Sequence, residues 1–83
     1  MTADVLRVAT SVPGVVGIEQ QRVRKTGLQY HVDLHLEVDP EMTVRASHEI
    51  AHEVKRAVQE SLPWVADVLV HVEPAPEALG ARG

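Results

Sequence analysis

One half of the segment from Gln29 to Asp39 is made almost entirely of groups that can bind cations. Tyr30, Val32, Leu34, Leu36 and Val38 alternate there with Gln29, His31, Asp33, His35, Glu37 and Asp39. Side chains of an extended strand point alternately to its two faces, so the apolar set lies on one side and the polar set on the other. Imidazole and carboxylate are the nitrogen and oxygen donors that borderline divalent cations favour. Metal binding is therefore the first chemistry this pattern suggests. It recurs at His71-Val72-Glu73, where a spacing of two puts His71 and Glu73 on one face, able to share a cation. The plain alternative is a solvated polar face of a sheet, which carries such residues without any ion.

A second pattern, His48-Glu49-Ile50-Ala51-His52, matches H-E-x-x-H, the zinc-protease signature, on an expected helix. Histidines four apart share a helix side, so the local geometry is suitable. A protease also needs a third ligand and a substrate cleft. A chain of 83 residues offers no lobe to build that cleft. Two solvated helix histidines flanking an apolar stripe account well for His52, and the chain is not expected to be an enzyme.

These residues need elements to hold them. Thr2 can cap a first helix with Val5, Val8, Ala9 and Val12 on one face, ended by Pro13-Gly14 after about three turns. Val15 to Thr26 reads as a strand of imperfect alternation. Gly27 makes a tight turn into the 29–39 strand, giving a hairpin. Asp39-Pro40 breaks that strand. Thr43 then caps a second helix whose stripe is Val44, Ser47, Ile50, Ala51, Val54, Val58 and Leu62, closed by Pro63. Val65 to Pro74 is a last strand, with Val68, Val70 and Val72 inward and Asp67, Leu69, His71 and Glu73 outward.

The order αββαβ implies an α+β domain of the metallochaperone-like, ferredoxin-like kind. A strand-helix-strand connection within one sheet is nearly always right-handed and parallel. The 29–39 strand is thus expected at the centre of a three-stranded mixed sheet, antiparallel to the first strand and parallel to the last. Both helices cover one face. The other face brings His35 beside His71 and Glu73. Residues 1–74 are expected to form the domain, and 75–83, rich in Ala, Pro and Gly, a flexible tail.

Composition narrows the function classes. Aromatics are nearly absent, so Val, Leu, Ile and Ala must build the one core that this length allows. A net charge of −4 argues against nucleic acid, which requires a basic footprint. With no cysteine, disulfides, thiolate zinc sites and catalytic thiols are excluded, and soft Cu(I) is a poor cargo. No segment approaches the apolar length of a membrane span, and no basic-then-apolar signal peptide opens the chain.

Taken in order, several segments resemble the cytoplasmic carboxy-terminal domain of cation diffusion facilitator (CDF) transporters. They are Val12-Pro13-Gly14-Val15, Arg22 to Gly27, Val32 to Pro40, the Thr43-to-Ala51 helix start and Asp67 to Pro74. The resemblance covers about Asp4 to Pro74. It implies a domain that follows six membrane helices, pairs as a homodimer on the cytoplasmic side of the membrane, and binds Zn2+ or another divalent transition cation. The family's ligand positions fall on His35, His48 and His71, with Glu73 where an aspartate often stands. Glu19 falls where some members place a further histidine. The implied function is metal binding, dimerisation and regulation of cation efflux. Its rival is a structural dimerisation module that holds no metal. The chain is then expected to be one domain of a longer transporter or, failing that, free-standing.

Overall fold

A computed structural model describes residues 2–76 as helix α1 (Thr2–Thr10), strands β1 (Gly17–Thr26) and β2 (Gln29–Val38), helix α2 (Val44–Ser61) and strand β3 (Val65–Pro74). The sheet order is β1-β2-β3, with β1 antiparallel and β3 parallel to the central β2. This is the mixed sheet that the αββαβ order implied.

Each boundary has a local cause. The Thr43 hydroxyl accepts the Ala46 N–H at 3.0 Å, satisfying one of the free donors at the start of α2. Leu62 caps the other end, its N–H donating to the Val58 carbonyl, and Pro63 prevents continuation. Gly27, at φ +62°, opens the two-residue turn that joins β1 to β2. Helix α1 is shorter than the expected three turns. The Thr10 and Ser11 hydroxyls fold back onto the carbonyls of Leu6 and Val8, and the helix stops three residues before Pro13.

The core lies between the helices and one face of the sheet. Val32, Leu34 and Leu36 of β2 are fully buried against Val5, Val54 and Val58 of the helices, with Val65 and Val68 completing the layer from β3. Burying a side chain of this size contributes roughly 1.5–3 kcal/mol, and these residues dominate the stability of so small a core. Val44, expected in the apolar stripe of α2, is 85% exposed. As the first residue of the helix it lines an open groove beside Val72 instead of entering the core. Trp64 and Tyr30 pack edge to face at the start of β3, where Tyr30 pairs with Val65.

The expected tail from Ala75 lies mainly at 77–83, outside the described residues. Ala75 itself is tied down, its N–H donating to the Val38 carbonyl at 2.7 Å. None of the described helices is long and apolar enough to cross a membrane.

Candidate metal centre

The sheet face away from the helices carries the polar residues of β2, and three features of strand pairing build a cluster on it. First, β2 places His35 at mid-strand, flanked by the buried Leu34 and Leu36 that fix its outward direction. Second, the parallel register sets His35 beside His71 and Glu37 beside Glu73. The His35 and His71 rings stack with centroids 4.6 Å apart and planes at 23°. Glu73, two residues further along β3, reaches back so that its Oε2 lies 3.1 Å from His35 Nδ1.

The third feature is a bulge in β1. Ile18 pairs with Leu36 and Gln20 with His35, so Glu19 is an extra residue on that strand. Glu19 and Gln20 together oppose His35, and Glu19 Oε1 comes within 3.9 Å of His35 Nδ1. The bulge also explains the imperfect alternation of 15–26. It shifts the inward set from Ile18 to Gln21 and Val23, which pair with Leu34 and Val32. One consequence is unfavourable: Gln21 Oε1 is buried with no hydrogen-bond partner. An unpaired group of this kind costs on the order of 1–3 kcal/mol.

Glu19, His35 and Glu73 thus offer ligand atoms that all lie within 4.8 Å of one another. Zinc binds nitrogen and carboxylate oxygen at about 2.0–2.2 Å, which places tetrahedral donors about 3.3 Å apart. Small side-chain movements would bring this triad to that spacing, and its mixed nitrogen and oxygen donors suit borderline divalent ions. The three side chains keep 31%, 47% and 39% exposure for His35, Glu19 and Glu73. The cluster is therefore open on one side to an ion and to a further ligand. Other carboxylates of the sheet are drawn to cations of the chain, Asp33 to Arg24 at 3.6 Å and Asp67 to Lys55 at 3.9 Å.

Of the four ligand positions taken from the sequence, the fold brings His35, His71 and Glu73 together and leaves His48 apart. His48 is exposed on α2, in the layer that packs on the opposite face. Its Nε2 lies 3.0 Å from His52 Nε2, one turn along the helix. Glu19, which only the resemblance pointed to, stands closer to the centre than its place in an irregular strand suggested. In the residues themselves, the break in alternation is the one trace of the bulge that places it there. Further along α2, Arg56 bridges Glu53 and Glu60, and the hydrogen bond and charge of Glu53 push its guanidinium pKa up.

Comparison with known proteins places this geometry. Residues 1–75 match the family model described as cation efflux protein, cytoplasmic domain. The cation-efflux pump FieF of Yersinia enterocolitica is 34% identical over 71 residues, 86% of this chain and 23% of that protein. Metal tolerance protein C1 of Arabidopsis thaliana is 36% identical over 64 residues, 77% of this chain and 14% of that protein. The chain thus spans less than a quarter of the length of these relatives. The solved MamM-CTD superposes with a TM-score of 0.86 at 33% identity, covering 88% of this chain and 92% of that one. A MamM CTD cadmium form superposes equally well, at 0.86 and 32% identity over 88% and 91%.

Proposed function

This chain belongs to the family of cation efflux protein cytoplasmic domains, and from that premise we propose that it is the metal-binding, dimerising and regulatory domain of a divalent cation efflux transporter. Zinc, or a borderline ion like it, is the cation. The partners are a second copy of the chain and the six-helix membrane domain of the same transporter, on whose cytoplasmic side the domain sits. Transport itself belongs to that membrane domain.

The observation that carries the reading is the approach of Glu19, His35 and Glu73 to one point, with His71 stacked alongside. Two carboxylates offset the charge of a divalent ion, and the histidine nitrogen adds the borderline donor that favours zinc over calcium or magnesium. Related MamM CTD structures in cadmium, nickel and manganese forms support a metal role for this fold. The open side of the cluster leaves room for a ligand from elsewhere. His48, held on the opposite layer, can complete a set with His35, His71 and Glu73 only as a residue of a second copy.

A cation shared in this way joins two protomers and stabilises their closed arrangement. It biases the attached membrane domain only as far as it binds that arrangement more tightly than the open one. The test is a distance measurement between labels on the two protomers, with and without Zn2+. A zinc-dependent shortening that His35→Ala abolishes is the expected result. A dimer whose geometry ignores zinc would leave a structural dimerisation module in place of a regulator.

A further inference from the structure

His52 has no part in the sheet cluster, and within one chain His48 stands apart from it as well. His48 and His52 are both exposed, four residues apart, with ring centroids at 4.6 Å and Nε2 atoms 3.0 Å apart. We propose that these two imidazoles form a second cation site of their own, a nitrogen clamp on α2 for late divalent transition ions such as Cu2+ and Ni2+.

Two imidazoles at 3.0 Å share one proton between two nitrogen lone pairs, since in a neutral pair one ring donates and the other accepts. A cation can take both Nε2 lone pairs once the donating ring carries its proton on Nδ1 instead, which leaves both imidazoles neutral. Both side chains are exposed, so the rings can turn to aim at one ion. The helix has already placed the donors, because residues four apart lie one above the other on the same side. The 3.0 Å separation already brings the two nitrogens within the reach of one ion, whose donors stand roughly 3 Å apart. All-imidazole donors also suit Cu2+ and Ni2+, which head the first-row affinity order.

The surroundings leave the rest of the coordination sphere accessible. The pair lies along a shallow groove with Ser47, Leu69 and Val70. Lys55, which lines the same groove, has its ammonium 3.9 Å from Asp67 on β3. Waters or a donor from another molecule can fill the remaining positions. The clamp and the sheet cluster occupy different layers and share no residue within one chain; because His48 of a second copy belongs to the proposed sheet set, His52 is the residue whose loss disables the clamp alone.

The experiment is a Cu2+ titration followed by electron paramagnetic resonance and calorimetry on a background that lacks the sheet donors, Glu19→Gln, His35→Ala, His71→Ala and Glu73→Gln together. The expected result is one Cu2+ per chain held by two imidazoles. Adding His48→Ala or His52→Ala should each weaken it at least tenfold. Equal affinity with and without His52→Ala, or a signal from a single imidazole, overturns the proposal. A second measurement uses the unmodified chain, in case the fourfold variant does not fold. Substoichiometric Ni2+ should perturb the His48 and His52 ring resonances at the same metal ratio. Perturbation of His48 without His52 overturns the clamp and leaves the sheet cluster untouched.

Discussion

His35 Nδ1 and Glu73 Oε2 lie 3.1 Å apart across the parallel pairing of β2 and β3, although 38 residues separate them in the chain. That gap is close to the spacing of two donors on a tetrahedral zinc ion, about 3.3 Å. The sheet therefore arrives at folding with this half of a metal site already set. Preorganisation of this kind lowers the cost of ordering ligands when the ion arrives.

Loss of these donors should show directly in affinity. His35→Ala, His71→Ala or Glu73→Gln is expected to weaken zinc binding at the sheet cluster at least tenfold, about 1.4 kcal/mol. His52→Ala should cost that cluster much less, since His52 touches none of the donors on the sheet. Isothermal titration with zinc checks this. Intact binding in His35→Ala and His71→Ala alongside its loss in His52→Ala would show that the sheet face is not the centre.

Zinc should raise the melting temperature, and more at pH 7.5 than at pH 5.5. An imidazole must be neutral to ligate, and free histidine gains its proton near pH 6.5. Protons therefore compete with the ion as pH falls. At a hundredfold excess over the dissociation constant, binding to the native state adds on the order of 3 kcal/mol. An unchanged melting curve at both pH values under saturating zinc counts against a metal site.

The isolated domain should sediment as a homodimer whose melting point rises with protein concentration. Its small aliphatic core has little stability in reserve. Only monomer from micromolar to millimolar protein, with and without zinc, would be the contrary outcome.

Removing Gln20 should leave the fold intact. The deletion turns the two-against-one pairing opposite His35 into an ordinary pair and leaves Ile18–Leu36 and Val23–Val32 in register. Leu34→Ala, by contrast, empties a fully buried position and should cost about 2–5 kcal/mol. Chemical denaturation of the two variants compares them. A larger loss from the deletion would mean that the bulge itself supports the sheet.

Removing either carboxylate charge should also change which ion binds. Glu19→Gln or Glu73→Gln leaves a more nitrogen-dominated set and should weaken Mn2+ more than Zn2+, because harder ions depend more on carboxylate oxygen. Competition titrations with the two metals give the ratio. An unchanged ratio would place both carboxylates outside the coordination sphere.

Much of this molecule was legible in the residues alone. Strict alternation from Gln29 to Asp39, the helical stripe ending at Leu62 and the breaks at Pro13-Gly14, Gly27, Pro40 and Pro63 specify the elements, because burial period and turn chemistry are local properties. The αββαβ order then limits the sheet to few arrangements. What the residues alone left open are relations between elements. Whether Glu19 faces His35 depends on a one-residue bulge, which reverses the facing of every later side chain on β1. The position of His48 depends on the helices covering the face opposite to His35, His71 and Glu73. Its spacing to His52 follows from the helix and could be read in advance, but its separation from the other three is a consequence of packing apolar faces together, which only the tertiary structure decides.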